Sequence, residues 1–119
     1  QLKGASDLQI ARKAARGITL SPLIKTAVHG EDPNWGRILA RLGAEEVPEE
    51  QLEKMTLKLQ GVLLFEKGQP VAFPRDEIKT LLKQSIVKVE INFYSGKHTA
   101  TAWGCDLSRK YVDINTEYS

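Results

Sequence analysis

The spacing of apolar residues changes near Met55, and this change restricts the chain to folds with separate helical and strand regions. Before that point apolar residues recur at helical intervals, as in the stripe of Trp35, Ile38, Leu39 and Leu42. After it they alternate with polar residues, as in Val87, Val89, Ile91 and Phe93. This order predicts an α+β fold, with N-terminal helices followed by a mixed or antiparallel sheet carrying one inserted helix, as a two-layer roll or sandwich.

Capping residues predict where the first helices begin. Ser6 can cap a first helix, because Gln9 three residues later completes a capping box. Ser21 caps a second helix, in which Pro22 takes the first helical position and loses no hydrogen bond. That second helix is expected to stop near Gly30.

A third helix is predicted by the same pattern, a capping residue followed by proline, and it carries the apolar stripe that begins at Trp35. Asp32 followed by Pro33 predicts its start, and Gly43 is the natural place for its end. The run from Pro48 to Glu50 predicts one further helical turn.

The second half of the chain predicts short strands and one helix. In order these are a strand ending at Leu59, a strand from Val62 to Glu66, a short return from Gln69 to Val71, a helix from Pro74 to Lys83, a strand from Val87 to Phe93, and a last strand from Tyr111 to Ile114. A turn at Ser95-Gly96 predicts that the strand ending at Phe93 continues as a hairpin into His98 to Cys105.

Length and charge exclude several classes of protein. With 119 residues the chain is expected to form one domain, 1–119. Seventeen basic and fifteen acidic residues leave a net charge of +2, which argues against a nucleic-acid or anionic-membrane partner. No apolar run approaches the roughly 18 residues of a membrane span. The chain opens without Met, as though a strand had been cut before a turn at Gly4, so we expect a fragment or processed subunit.

The run Gly30 to Arg37, GEDPNWGR, allows two interpretations. Asp32 could accept hydrogen bonds from amides at the helix start, and free amides there could hold an anionic ligand group. The structural alternative, which we favour, is a capped helix anchored to the core by Trp35, with Arg37 paired to a nearby carboxylate.

The chain shows no self-sufficient catalytic or metal-binding set. Cys105, the single cysteine, excludes an internal disulfide and fits a reducing compartment. On one strand Cys105 and His98 would lie roughly 23 Å apart on opposite faces, so a thiol–imidazole pair is unsupported. Neither His29 nor His98 has a partner at metal-ligand spacing. We therefore predict no catalytic residue, no metal and no cofactor in this chain.

The C-terminal run YVDINTEYS contains a candidate binding residue. Asn115 follows the last predicted strand and offers both an amide donor and a carbonyl acceptor, which could read an amino-acid backbone. A strand-end Asn in a turn explains the same position equally well. The residues alone leave these two interpretations open.

Two long runs carry a resemblance to a known family. SPLIKTA followed by GEDPNWGRI, and ATAWGCDL followed by YVDIN with Tyr118 three residues after the Asn, resemble the ornithine acetyltransferases, also called bifunctional glutamate N-acetyltransferases. The resemblance is to the C-terminal part of the β chain. It implies a precursor that cleaves itself before a Thr, which then carries an acetyl group from N-acetylornithine to glutamate in arginine biosynthesis.

The same resemblance implies the site residues and partners. One of the family's substrate contacts maps to Asn115. Another is a hydroxyl residue one position after Ser119, and Ser119 could take its place. The nucleophile lies outside this chain, so the chain alone is expected to be inactive. Implied partners are the α chain and the rest of the β chain, as a heterotetramer of two α and two β chains. Some members accept acetyl-CoA, and the implied compartment is the cytoplasm, or the mitochondrial matrix in a eukaryote.

Two alternatives stand beside this enzyme. One is a stand-alone α+β interaction module without catalysis, which the low net charge and the lack of catalytic pairs also allow. The other, ranked lower, is a related self-processing aminopeptidase.

Overall fold

The computed structural model of the chain describes residues 1–104, which form five helices and six strands. In chain order these are β1 (Leu2–Ala5), α1 (Leu8–Leu20), α2 (Pro22–His29), α3 (Trp35–Ala44), α4 (Glu49–Lys54), β2 (Thr56–Leu59), β3 (Val62–Glu66), β4 (Gln69–Pro70), α5 (Arg75–Leu81), β5 (Val89–Asn92) and β6 (His98–Ala100). Helices followed by strands with one inserted helix confirm the predicted α+β class. The predicted strand Tyr111 to Ile114 lies outside the described residues.

The six strands form one mixed sheet in the order β4–β3–β2–β5–β1–β6. β1 runs parallel to β5, with Leu2 opposite Ile91, and antiparallel to β6, with Leu2 opposite Ala100. The predicted hairpin between β5 and β6 is therefore wrong, because β1 lies between these two strands. The predicted turn at Gly4 is also wrong, since Gly4 lies within β1.

Two glycines allow β1 to occupy this internal position. Gly4 has a φ of +73°, and a Cβ there would lie only 2.7 Å from the Tyr94 amide nitrogen. Gly96 lies directly against β1, where a Cβ would overlap the carbonyl oxygen of Ala5. The Ser95 amide donates to the Gly4 carbonyl at 2.7 Å. The connection after β5 therefore packs against the end of β1 and does not turn back on β5.

The N-cap of α1 lies one residue later than predicted, and the helix begins at Leu8. Its N-cap is Asp7, whose Oδ1 accepts from the Ile10 amide at 2.8 Å. The hydroxyl of Ser6 instead accepts from Nε2 of Gln51 in α4 at 2.7 Å. Gln51 is only 5% exposed, and a buried amide needs such a partner. The prediction of a Ser6 cap is wrong because this distant side chain uses the hydroxyl.

α2 matches its prediction, whereas α3 ends later than predicted. Ser21 caps α2 by accepting from the Ile24 amide at 3.2 Å, and the helix ends with Gly30 as its C-cap. α3 continues past Gly43 to Ala44, and the left-handed residue after it is Glu46, with a φ of 60°. Gly43 lies in the last turn of α3, and beyond its own helix no atom lies within 4 Å of where its Cβ would be.

Apolar side chains on the sheet and helices form two clusters that meet at Trp35. The larger cluster includes β1, α1, β2 and β5 through residues such as Leu2, Ala14, Leu57 and Ile91. The smaller cluster contains Leu59 from β2, Leu64 from β3, Ile78 from α5 and Leu82, which directly follows α5. Trp35 packs against both, and its ring centroid lies 5.5 Å from that of Phe65. The extents of 39 × 35 × 19 Å fit two layers of about 10 Å each.

Candidate functional site

A groove of about 1000 Å³ opens at one end of the sheet. β1 and β5 begin at this end and β6 finishes there, because Leu2 lies opposite both Ile91 and Ala100. α1 and α2 contribute apolar side chains to the groove, including Ile18, Ile24 and Val28. Two irregular segments, 82–88 before β5 and 101–104 after β6, complete its lining.

The groove has charged groups of both signs around its apolar lining. Lys83 and Lys88 contribute positive charge, and Glu31 and Glu90 contribute negative charge. The α-amino group of Gln1 donates to the Val89 carbonyl at 2.7 Å. Burial lowers the pKa of this amino group, Glu90 opposes the shift, and Lys88 adds to it. Gln1 itself is exposed, whereas Leu2, the first residue of β1, is buried and also lines the groove.

Gln60 holds the segment 82–88 in place. Gln60 and Gly61 form the two-residue turn between β2 and β3, with φ values of 52° and 80°. The side-chain Nε2 of Gln60 donates to the carbonyls of Leu81 at 2.8 Å and Ile86 at 3.1 Å. Its Oε1 accepts from the Lys88 amide at 2.9 Å, and its backbone amide donates to the Lys88 carbonyl at 3.0 Å. These four hydrogen bonds explain why a Gln tolerates a left-handed conformation.

The sequence analysis did not identify this role of Gln60. The one available signal is a residue followed by Gly between two alternating strands, which marks a hairpin turn. Nothing in that local pattern indicates that the Gln side chain reaches a segment more than twenty residues away.

Residues 102–104, the described part of the AWGCD run, leave the sheet along the groove. Gly104 packs against the end of α1, where a Cβ would lie 2.9 Å from the Thr19 carbonyl oxygen. The absence of a side chain at Gly104 therefore allows the two backbones to approach closely. Trp103 beside it is 81% exposed. Cys105, Asn115 and Ser119 lie outside the described residues, so the predicted substrate contacts remain predictions.

The DPNWGR run forms a tight connection between α2 and α3. The Asp32 amide donates to the Ala27 carbonyl at 2.8 Å, which closes the end of α2. The cap of α3 is Asn34, whose Oδ1 accepts from the Arg37 amide at 3.0 Å. The prediction that Asp32 caps this helix is wrong. With Pro33 fixed in the connection, the helix starts at Trp35, and Asn34 is the residue directly before it.

Arg37 links the same connection back to α2. Its Nη1 donates to the Leu23 carbonyl at 2.8 Å, so the partner that the structure shows is a backbone oxygen and not the predicted carboxylate. A small pocket of about 290 Å³ adjoins this connection and is bordered by Asp32, Asn34 and Arg75. It shares no lining residue with the groove. The geometry favours the structural interpretation of this run.

Within residues 1–104 no three His, Cys, Asp or Glu side chains are grouped closely enough to hold a metal ion. No helix in the same range is long and apolar enough to cross a membrane.

The chain resembles known proteins along its whole length. The model of the ArgJ family matches residues 1–119. The arginine biosynthesis bifunctional protein ArgJ of Oceanobacillus iheyensis is 41% identical over 117 residues, covering 98% of this chain and 28% of that protein. The protein of the same name from Dehalococcoides mccartyi is 43% identical over 119 residues, covering all of this chain and 29% of that protein.

A solved structure has the same fold. The crystal structure of the arginine biosynthesis bifunctional protein ArgJ from Bacillus halodurans matches with a TM-score of 0.86 and 35% sequence identity. The match covers 98% of this chain and 55% of that chain. The chain thus spans little more than a quarter of the length of the curated relatives it matches.

Proposed function

The chain belongs to the ArgJ family, and on this basis we propose that it is part of an N-acetyltransferase of arginine biosynthesis. The observation that carries the proposal is the family match, which extends from residue 1 to residue 119. The match therefore includes the C-terminal run with Asn115, and relatives named as bifunctional arginine-biosynthesis proteins align over that run as well.

In the proposed reaction the enzyme moves an acetyl group from N-acetylornithine to glutamate. A Thr hydroxyl outside this chain attacks the acetyl carbonyl, with the amine of the same Thr as base, and ornithine leaves. The glutamate amine then attacks the acyl-Thr ester and restores the hydroxyl. This chain contributes no nucleophile. We propose that Asn115 and Ser119 bind the polar end of the acylated amino acid.

The described part of the chain supports a role in structure and substrate binding, with the nucleophile in another segment. Residues 1–104 form a sheet-and-helix scaffold with two apolar clusters, and Trp35 packs against both. The scaffold fixes the backbone as far as Gly104, which lies against the end of α1. The proposed substrate contacts follow eleven to fifteen residues later.

The proposed partners follow from the same family membership. They are an α chain released by self-cleavage of a common precursor and the rest of the β chain, in an assembly of two α and two β chains. We expect the enzyme to act in the cytoplasm, or in the mitochondrial matrix of a eukaryote, with acetyl-CoA as a further donor in some members. The chain requires no cofactor for the proposed role.

Substitution of Asn115 in the full-length enzyme tests the proposal. Asn115→Ala should raise KM for N-acetylornithine or lower kcat by about 5- to 150-fold, because about 1–3 kcal/mol is lost when a buried partner keeps an unsatisfied group. Thr116→Ala in the same run is the matched control and should leave both constants unchanged. Steady-state assays with N-acetylornithine and glutamate measure the effect.

Two outcomes would count against the proposal, and they differ. Unchanged kinetics in Asn115→Ala would remove the substrate-binding role of this residue while leaving the enzyme assignment in place. Absence of acetyl transfer by the wild-type protein would instead favour the stand-alone interaction module.

A further inference from the structure

We propose that residues 83–88, which we call the strap, open as a unit at one wall of the groove, and that the side chain of Gln60 holds the strap closed. The inference concerns a movement built into the fold and is independent of the proposed reaction.

The strap has little apolar surface that holds it against the rest of the protein. Its ends are anchored, because Leu82 before it is 4% exposed and Val87 packs, partly buried, against the smaller apolar cluster. Between these two residues, positions 83–86 are all exposed, and Ile86 is 60% exposed. Segments with few buried apolar contacts open at a lower free energy than the core does. The strap can therefore open while the sheet stays folded.

Gln60 supplies the hydrogen bonds that oppose this opening. Within residues 1–104, every hydrogen bond from residues 85–88 to another part of the chain ends at Gln60. Its side chain donates to the Ile86 carbonyl and accepts from the Lys88 amide. The same side chain also donates to the carbonyl of Leu81, the last residue of α5. One side chain thus joins both ends of the strap to the turn between β2 and β3.

The residue type at position 60 favours this role. Two-residue turns between antiparallel strands favour Asn, Asp or Gly at the first position, where φ is positive. Gln60 has a φ of 52° at that position, directly before Gly61. Gln is one methylene longer than Asn, and this length allows its side chain to contact residues 21 to 28 positions away. The side chain therefore has a use beyond the turn itself.

Opening of the strap changes the groove. Lys83, Ile86 and Lys88 belong to the strap and line the groove. When the strap moves away from the turn, these side chains move with it, and the wall loses two positive charges and an exposed apolar residue. Gln60 thus sets the shape and the charge of this wall.

Hydrogen exchange in the full-length protein tests the proposal with the variant Gln60→Gly. Glycine adopts a positive φ without strain, so the turn is kept while the side-chain hydrogen bonds are lost. The amides of Lys83 and Gln84 should then exchange at least about tenfold faster than in the wild type, although their own acceptors, the carbonyls of Thr80 and Leu81, are unchanged. Peptides from β2 and β3, followed by mass spectrometry, should keep their wild-type rates because the sheet stays folded.

Lys67→Gly is the matched control. Lys67 has a φ of 50° directly before Gly68 in the turn between β3 and β4, and within residues 1–104 its side chain makes no hydrogen bond. This variant should leave exchange in the strap unchanged. Wild-type rates in Gln60→Gly, or an equal increase in both variants, would overturn the proposal. A uniform increase across the strap, β2 and β3 would overturn it too, because the strap would then not open on its own.

Discussion

Gly96 and Gly43 differ in what surrounds the position of a Cβ atom. At Gly96 a Cβ would overlap the carbonyl oxygen of Ala5 and lie 2.9 Å from its carbonyl carbon. These are backbone atoms of an internal strand and cannot move aside without disturbing the pairing of β1. At Gly43 no atom outside its own helix lies within 4 Å. The same substitution therefore has opposite consequences at the two positions.

We expect Gly96→Ala to lower the free energy of unfolding by about 1–3 kcal/mol, because the added methyl group forces β1 and the connection after β5 apart. Gly43→Ala should raise it by about 0.5–1 kcal/mol, because Ala favours the helical conformation. Chemical denaturation of the two variants beside the wild type measures both effects. A destabilised Gly43→Ala protein would contradict this account.

In the connection between α2 and α3, two neighbouring polar residues make different hydrogen bonds at the ends of the two helices. Asn34 accepts from the Arg37 amide and caps α3, whereas the backbone of Asp32 closes α2. The two side chains meet at 3.3 Å, where Nδ2 of Asn34 donates to Oδ2 of Asp32. The local sequence places a cap in this run, yet it does not decide which residue takes the role.

Asn34→Ala should therefore destabilise the protein more than Asp32→Ala does. Loss of the cap on α3 should cost about 0.5–2 kcal/mol, since one amide of the first turn loses its acceptor. Asp32→Ala removes only an exposed side-chain contact and should cost less than about 0.5 kcal/mol. Thermal or urea unfolding of both variants gives the comparison, and the reverse order would support the original prediction that Asp32 is the cap.

In the sheet, local sequence patterns predicted the positions of the strands better than they predicted which strands pair. The alternation around Ile91 and the turn at Ser95-Gly96 are both present, and a hairpin is the usual result of such a pattern. The result here differs because β1, about ninety residues earlier, pairs with both strands. Pairing over that distance depends on burial of Leu2, which is 1% exposed, and on the absence of side chains at Gly4 and Gly96.

At the scale of the whole molecule, the described residues form a scaffold, and the proposed chemistry lies outside this chain. Trp35 joins two apolar clusters that together involve both halves of the chain. The groove lies where the sheet ends, beside the segment that leads toward Asn115. The proposed reaction needs a nucleophile from outside this chain, so the proposal assigns catalysis to the assembly and not to this region.

Purified chain 1–119 should accordingly show no acetyl transfer from N-acetylornithine to glutamate, whereas the full-length enzyme should turn over. Circular dichroism provides the necessary control, because inactivity is informative only for a folded sample. Turnover by the chain alone, at any rate above the uncatalysed reaction, would contradict the assignment of the nucleophile to another segment.

The sequence by itself determined the fold class, most helix and strand positions and the family, because these depend on local periodicity, capping residues and two unusual runs. Only the tertiary structure decided that β1 separates β5 from β6, that Ser6 serves Gln51, and that Gln60 holds the wall of a groove. Each of these depends on contacts between residues at least twenty positions apart. Such contacts are selected by burial and hydrogen bonding in the folded chain and leave no periodic mark on the sequence.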